Sequence, residues 1–193
     1  HQHDRYAESI PILEPMVERR PDTMDYRCRL ITACHHTQRF EQRDDLLLAT
    51  NEHFRQSGRW IEHNVAQLAN CTRLTGLYEL AIDLYGEVIP LHQRTAPNRG
   101  VGNDTLSSYY RHLADAHSHL GHTKEAVDAA SGSVISWGPR YERRAAAIQK
   151  LREVLAAAND LDAYVAYLDE QLEETGQTSP LLRRTIGVVY VKQ

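Results

Sequence analysis

The chain has 193 residues, 41% of them hydrophobic and 25% charged, with a formal net charge of −4. That is the balance of an ordinary soluble fold, and it leaves no basic footprint for nucleic acid or an anionic membrane surface. No apolar run approaches the roughly 20 residues that would span a bilayer. The three cysteines, Cys28, Cys34 and Cys71, form no Cys-x-x-Cys pair, which argues against a disulfide framework or a zinc knuckle. They read as small buried thiols and favour a reducing compartment such as the cytoplasm.

Apolar residues recur at intervals of three and four almost throughout, and strand-like alternation is nearly absent, so helix is expected everywhere but the turns. The opening stretch Tyr6-Ala7-Glu8-Ser9-Ile10-Pro11 parallels Tyr85-Gly86-Glu87-Val88-Ile89-Pro90. The chain is therefore expected to open within the second helix of a pair, broken at Pro15 and closed by Pro21. A first helix follows through Leu30, Ile31 and Cys34, with a turn near Gln38. Its partner carries Phe40, Leu46, Leu47, Leu48 and Phe54 before Gly58. The next pair has Trp60, Val65, Leu68, Ala69 and Cys71, a turn at Gly76, then Leu80, Ala81, Leu84, Tyr85, Val88 and Ile89. Pro90 falls inside this second helix and should kink it or shift its hydrogen bonding.

Thr95 to Asp104, with Pro97, Gly100 and Gly102, is the longest loop. Beyond it Leu106, Tyr109, Tyr110, Leu113, Ala116, His117 and Leu120 share a face, and Gly121 suits the left-handed position that ends a helix. Thr123 is a candidate N-cap for a helix facing inward with Ala126, Val127, Ala130, Val134 and Trp137, stopped by Gly138-Pro139. An alanine-rich helix with Ile148, Leu151, Val154 and Leu155 runs to Asn159, and Asp160 caps a partner over Leu161–Leu172 that ends by Gly176. Ser179-Pro180 opens a last helix containing Ile186, Gly187 and Tyr190, which reaches Gln193 without a partner. Repeat stacks avoid such an exposed apolar face with polar caps, so residues 1–193 are expected to be cut from a longer array.

Two of these units are copies of one another. Leu68, Ala69, Gly76 and Ala81 recur forty-five residues later as Leu113, Ala114, Gly121 and Ala126. Together with Tyr85, Tyr110 and Pro139, and with Ile186, Gly187 and Tyr190 opening a further unit, they resemble the tetratricopeptide repeat. That repeat is typically about 34 residues long, so this chain is similar to its longer variants. The Leu30 and Leu151 units are degenerate, with Gln38 and Asn159 where the turn glycine would stand. The architecture expected is all-α: a right-handed α-solenoid of stacked antiparallel helix pairs, about nine to ten helices in all. It forms a single domain over 1–193, with units at 1–21 (partial), 22–58, 59–103, 104–139, 140–178 and 179–193 (partial). Ala69, Ala81, Ala114 and Ala126 are small so that helices can approach within about 8–10 Å.

The resemblance implies a concave groove, lined by the first helices of successive units, for a protein or peptide partner. Projected onto this chain, the groove positions are Asn70, Arg73, Arg111, Asp115 and His119, with His35 and His36 from the preceding unit. Arg73 or Arg111 would pair a ligand carboxylate and Asn70 a ligand backbone amide. The plainer alternative is a solvated helix face with i, i+4 charge support, as between Arg111 and Asp115. The carboxylate-clamp members of the family carry lysines at two groove positions, which here are Ala66 and Ser108.

Eleven histidines, four of them at His112, His117, His119 and His122, suggest no metal site, because His-x-His on a helix sends the two rings about 200° apart. Gly100-Val101-Gly102 lacks the lysine and the preceding strand of a phosphate loop. No serine, histidine and aspartate arrangement or carboxylate pair demands catalysis. The expected function is a protein- or peptide-binding scaffold without catalysis, cofactor, nucleic acid or membrane. The alternative is a regulatory or accessory repeat region of a larger enzyme whose catalytic domain lies elsewhere. The Thr95–Asp104 loop is either a contact element or a tolerated insertion.

Overall fold

The computed structural model describes residues 2–95, 103–136 and 144–158, together with Asp162, Val165, Ala166, Glu170 and Gly187. Among the described residues there are eight α-helices and no strand: α1 Gln2–Arg19, α2 Met24–His36, α3 Phe40–Gln56, α4 Glu62–Leu74, α5 Tyr78–Thr95, α6 Asp104–His119, α7 Thr123–Ile135 and α8 Arg144–Ala157. Apart from Asp162, Val165, Ala166, Glu170 and Gly187, the helices expected over Leu161–Leu172 and after Ser179-Pro180 lie outside the described residues. So do Gly138-Pro139, the Asp160 cap, Gly176 and most of the Thr95–Asp104 loop. The chain divides into two compact units, His1–Val88 and Ile89–Gln193.

Four helices end in the same way. Gln38, Gly58, Gly76 and Gly121 hold φ of 60°, 69°, 73° and 74°, the left-handed conformation that turns the chain out of a helix. In each case the following amide reaches back to the third-last helical carbonyl. Arg39 donates to Cys34 at 2.8 Å, Arg59 to Phe54 at 3.0 Å, Leu77 to Thr72 at 2.9 Å and His122 to His117 at 3.0 Å. These bonds satisfy carbonyls that the helix end leaves open. Gln38 thus does the work of the turn glycine it replaces.

The break expected at Pro15 does not occur, and Pro90 falls inside a helix as expected. Pro11 and Pro15 lie inside α1 and Pro90 inside α5, and both helices run on through them. Proline removes one amide per site; Ile10 and Leu13 are buried beside the first two, and Val88 and Ile89 beside the third. The cap of α7 is also corrected, since His122 occupies that position and Thr123 is the first helical residue. The α6 cap is Asn103, whose side-chain oxygen accepts from the Leu106 amide at 3.1 Å.

In the first unit α1 packs on α2, and α2 on both α3 and α4. Ile10, Leu13, Leu30, Ala33 and Cys34 form the α1–α2 seam, flanked by Tyr6, Val17 and Leu46. In the second unit α6 packs on α7, and both contact α8, around Ala114, Ala126, Val127, Ala130, Val134, Leu151 and Leu155. Contact with the next helix and the next but one is the signature of stacked helix pairs.

Several side chains depart from their expected places. Phe40 and Leu48 are exposed while Leu47 and Phe54 are buried. Trp60 precedes α4 rather than belonging to it. Its indole donates to Glu87 at 2.7 Å and carries the Arg55 guanidinium 3.9 Å above its ring. In α6 the buried residues are Ser107, Ala114 and Ala116, not the large side chains of the expected face. Ser107 and Ser133 clasp α6 to α7, each hydroxyl donating to the other residue's carbonyl, at 2.8 and 2.9 Å.

Candidate functional site

Stacking α4 beside α2, with α1 alongside, opens a groove of about 780 Å³ within the first unit. The α1 wall shows Arg5, Ser9, Ile12 and Met16, spaced at three and four along one helix face as α-helical periodicity requires. Asp25, Tyr26, Cys28, Arg29 and Thr32 come from α2, and Gln67, Asn70, Cys71 and Leu74 from α4. Two apolar side chains in this lining stand in solvent: Ile12 at 62% and Leu74 at 57% exposure. Arg29 is held by Asp25 at 2.9 Å, one helical turn away.

Cys28, Thr32 and Cys71 carry the α2–α4 seam into this lining. The Cys28 thiol donates to the Gln67 carbonyl at 3.7 Å, and the Cys71 thiol to the Cys28 carbonyl at 3.4 Å. The Thr32 hydroxyl donates to the Cys28 carbonyl at 2.8 Å and lies 3.8 Å from the Cys71 sulfur. Donation by the Cys28 thiol to an ionised Cys71 holds Cys71 below the ordinary thiol range and pushes Cys28 up, with burial adding to the rise at Cys28. Cys34 is fully buried, and burial raises its thiol too.

The expected groove residues fall on α2, α4 and α6. Asn70 lines the groove, and its side-chain oxygen accepts from Arg73 at 3.0 Å. Neither His35 nor His36 is in that lining, but His36 stacks on Tyr6, which is, with ring centroids 4.3 Å apart; His35 receives Arg43 at 3.3 Å. In the second unit, Asp115 pairs with Lys150 of α8 at 3.1 Å, and Lys150 also meets Glu153 at 3.1 Å. Desolvation pulls the Lys150 amine down, but hydrogen bonds to Glu153 and Asp115 outweigh it and hold it above its ordinary value. His119 donates to the Asp115 backbone carbonyl at 2.8 Å. Arg111 is half-buried and forms no ion pair among the described residues.

His117 and His122 approach at 3.4 Å between Nδ1 atoms. Among the described residues no three or more His, Cys, Asp or Glu side chains gather as metal ligands, and no helix is long and apolar enough to cross a membrane.

Among solved structures, the nearly identical TPR-like repeats of a Podospora anserina chain assigned as a kinesin light chain are similar to this chain. The TM-score is 0.61 at 17% identity, covering 99% of this chain and 90% of that one. A variant of the same repeats gives 0.61 at 16%, over 92% and 91%. The fold is TPR-like. At such low identity the likeness concerns fold alone. No protein-family model matches the sequence, and no curated protein does.

The sequence pattern found Asn70 through its place in the repeat. It missed Ile12 and Leu74, because their exposure depends on which helix lies beside them. It treated Cys28 and Cys71 separately, although both fall on the stacked face of successive first helices. That shared register was the available signal.

Proposed function

We propose that this chain is a protein-interaction scaffold whose first unit seats a peptide segment along the groove of α1, α2 and α4. The observation that carries this reading is the pairing of exposed Ile12 and Leu74 with Asn70 in one open groove. A peptide with one apolar edge would cover the two aliphatic side chains. The Asn70 oxygen is already committed to Arg73, so its amide N–H groups serve as donors to a peptide carbonyl. In the second unit Arg111 is the proposed partner for a peptide carboxylate. Asp115 and His119 belong to the same proposed surface, with Asp115 tied to Lys150 and setting the charge beside Arg111.

Probing a random peptide array with purified protein tests this reading. Leu74→Asp, Asn70→Ala and Arg111→Glu are each compared with wild type on the peptides captured. Truncation of a central contact weakens binding by about tenfold or more, or 1.4 kcal/mol. Leu74→Asp and Asn70→Ala are expected to do so for peptides held by the first unit. Retained affinity in both would remove the groove assignment, and retained affinity in Arg111→Glu would remove the carboxylate contact.

A further inference from the structure

Cys28 and Cys71 are 43 residues apart in sequence, yet they meet in the seam between α2 and α4. Each thiol donates to a carbonyl of the facing helix: Cys28 to Gln67, one turn before Cys71, and Cys71 to Cys28 itself. The reciprocal bonds fix both sulfurs on the same side of the seam, and both cysteines line the open groove. A small solute entering the groove therefore meets both cysteines in its lining, Cys28 partly exposed and Cys71 4% exposed. Cys34 sits in the closed α1–α2 core with 0% exposure. We propose that Cys28 and Cys71 form a modification site at which a hydroperoxide converts the two thiols into an α2–α4 disulfide.

The chemistry balances with the hydroperoxide as oxidant. The Cys71 thiolate, favoured by the Cys28 hydrogen bond, attacks the outer peroxide oxygen. The O–O bond breaks, and the leaving alkoxide takes the proton lost by Cys71 and departs as an alcohol. Cys71 becomes a sulfenic acid. The Cys28 sulfur then attacks the Cys71 sulfur, the S–O bond breaks, and hydroxide leaves as water with the Cys28 proton. Two thiols have lost two electrons and the peroxide has gained them. The helices already touch, and each sulfur lies within 3.7 Å of a carbonyl of the facing helix; the step requires the two sulfurs to close to a bond of about 2.05 Å. The product would staple the two helices beneath the groove, whether or not a peptide occupies it.

The test uses wild-type protein exposed to hydrogen peroxide, alkylated, and mapped by mass spectrometry without reduction. The expected result is loss of two of the three thiols and of two hydrogens from the intact mass. A single linked species should join the Cys28 peptide to the Cys71 peptide, and dithiothreitol should reverse it. Cys34→Ala should behave as wild type, and Cys71→Ala should form no intramolecular link. Retention of all three thiols, a link through Cys34, a link between chains, or stepwise conversion to sulfonic acid would each overturn the proposal. The wild-type map decides even where a variant folds poorly.

Discussion

Gln38 shows what a single residue does for the fold. It carries φ 60°, where an L side chain crowds its own backbone and glycine does not. The turn was legible in the sequence because Gln38 stands at the repeat's glycine position; its left-handed conformation is the consequence of closing the same pair of bonds with a poorer residue. Gln38→Gly is therefore expected to raise stability by about 1 kcal/mol. Gly121→Ala is the converse. An added Cβ there meets nothing within 4 Å, so only the backbone at φ +74° resists it, at a cost of about 1 kcal/mol. Urea unfolding of both variants checks the pair, and Gln38→Gly without gain would show that the side chain contributes something beyond the turn.

At the scale of helices, periodicity identified which segments form helices but not every side chain that is buried between them. The seven-residue face read for α6 is amphipathic, yet of its members only Ala116 is fully buried, alongside Ser107 and Ala114. The repeat register marked Ala114 and Ala126 as small packing residues, and both are buried, whereas a small polar residue such as Ser107 is invisible to a pattern of apolar ones. Gly132 makes the same point, since a Cβ there would stand 3.0 Å from the Tyr110 ring. Ala126 is 1% exposed in that core, and Ala126→Leu is expected to overpack it and cost about 1–3 kcal/mol. Ser133→Ala removes one buried hydroxyl bond from the clasp and should cost about 1 kcal/mol. Chemical denaturation measures both. A Ser133→Ala protein as stable as wild type would reduce the clasp to a by-product of packing.

Across the whole chain, the candidate site was partly legible for the same reason as the fold. Asn70 follows from repeat register, whereas the groove and the thiol pair arise only when α1, α2 and α4 lie side by side. Acid behaviour is likewise distributed through the molecule. His35 and His117 are both held below the ordinary imidazole value, first by burial, then by the charge of a neighbouring histidine; Arg43 lowers His35 further and Glu125 partly offsets the fall at His117. A histidine whose folded value is depressed binds its proton more readily in the unfolded chain. Its contribution is intact above the unfolded value of about 6.5 and is lost as pH falls through the folded one. Asp22 is held low chiefly by its hydrogen bond from His53, and its contribution fades only in the carboxylate range, below about pH 4. Thermal midpoints should therefore fall in two stages on acidification. The double variant His35→Gln, His117→Gln is expected to flatten the first stage and leave the second. An unchanged first stage would place the acid loss on groups other than these two rings.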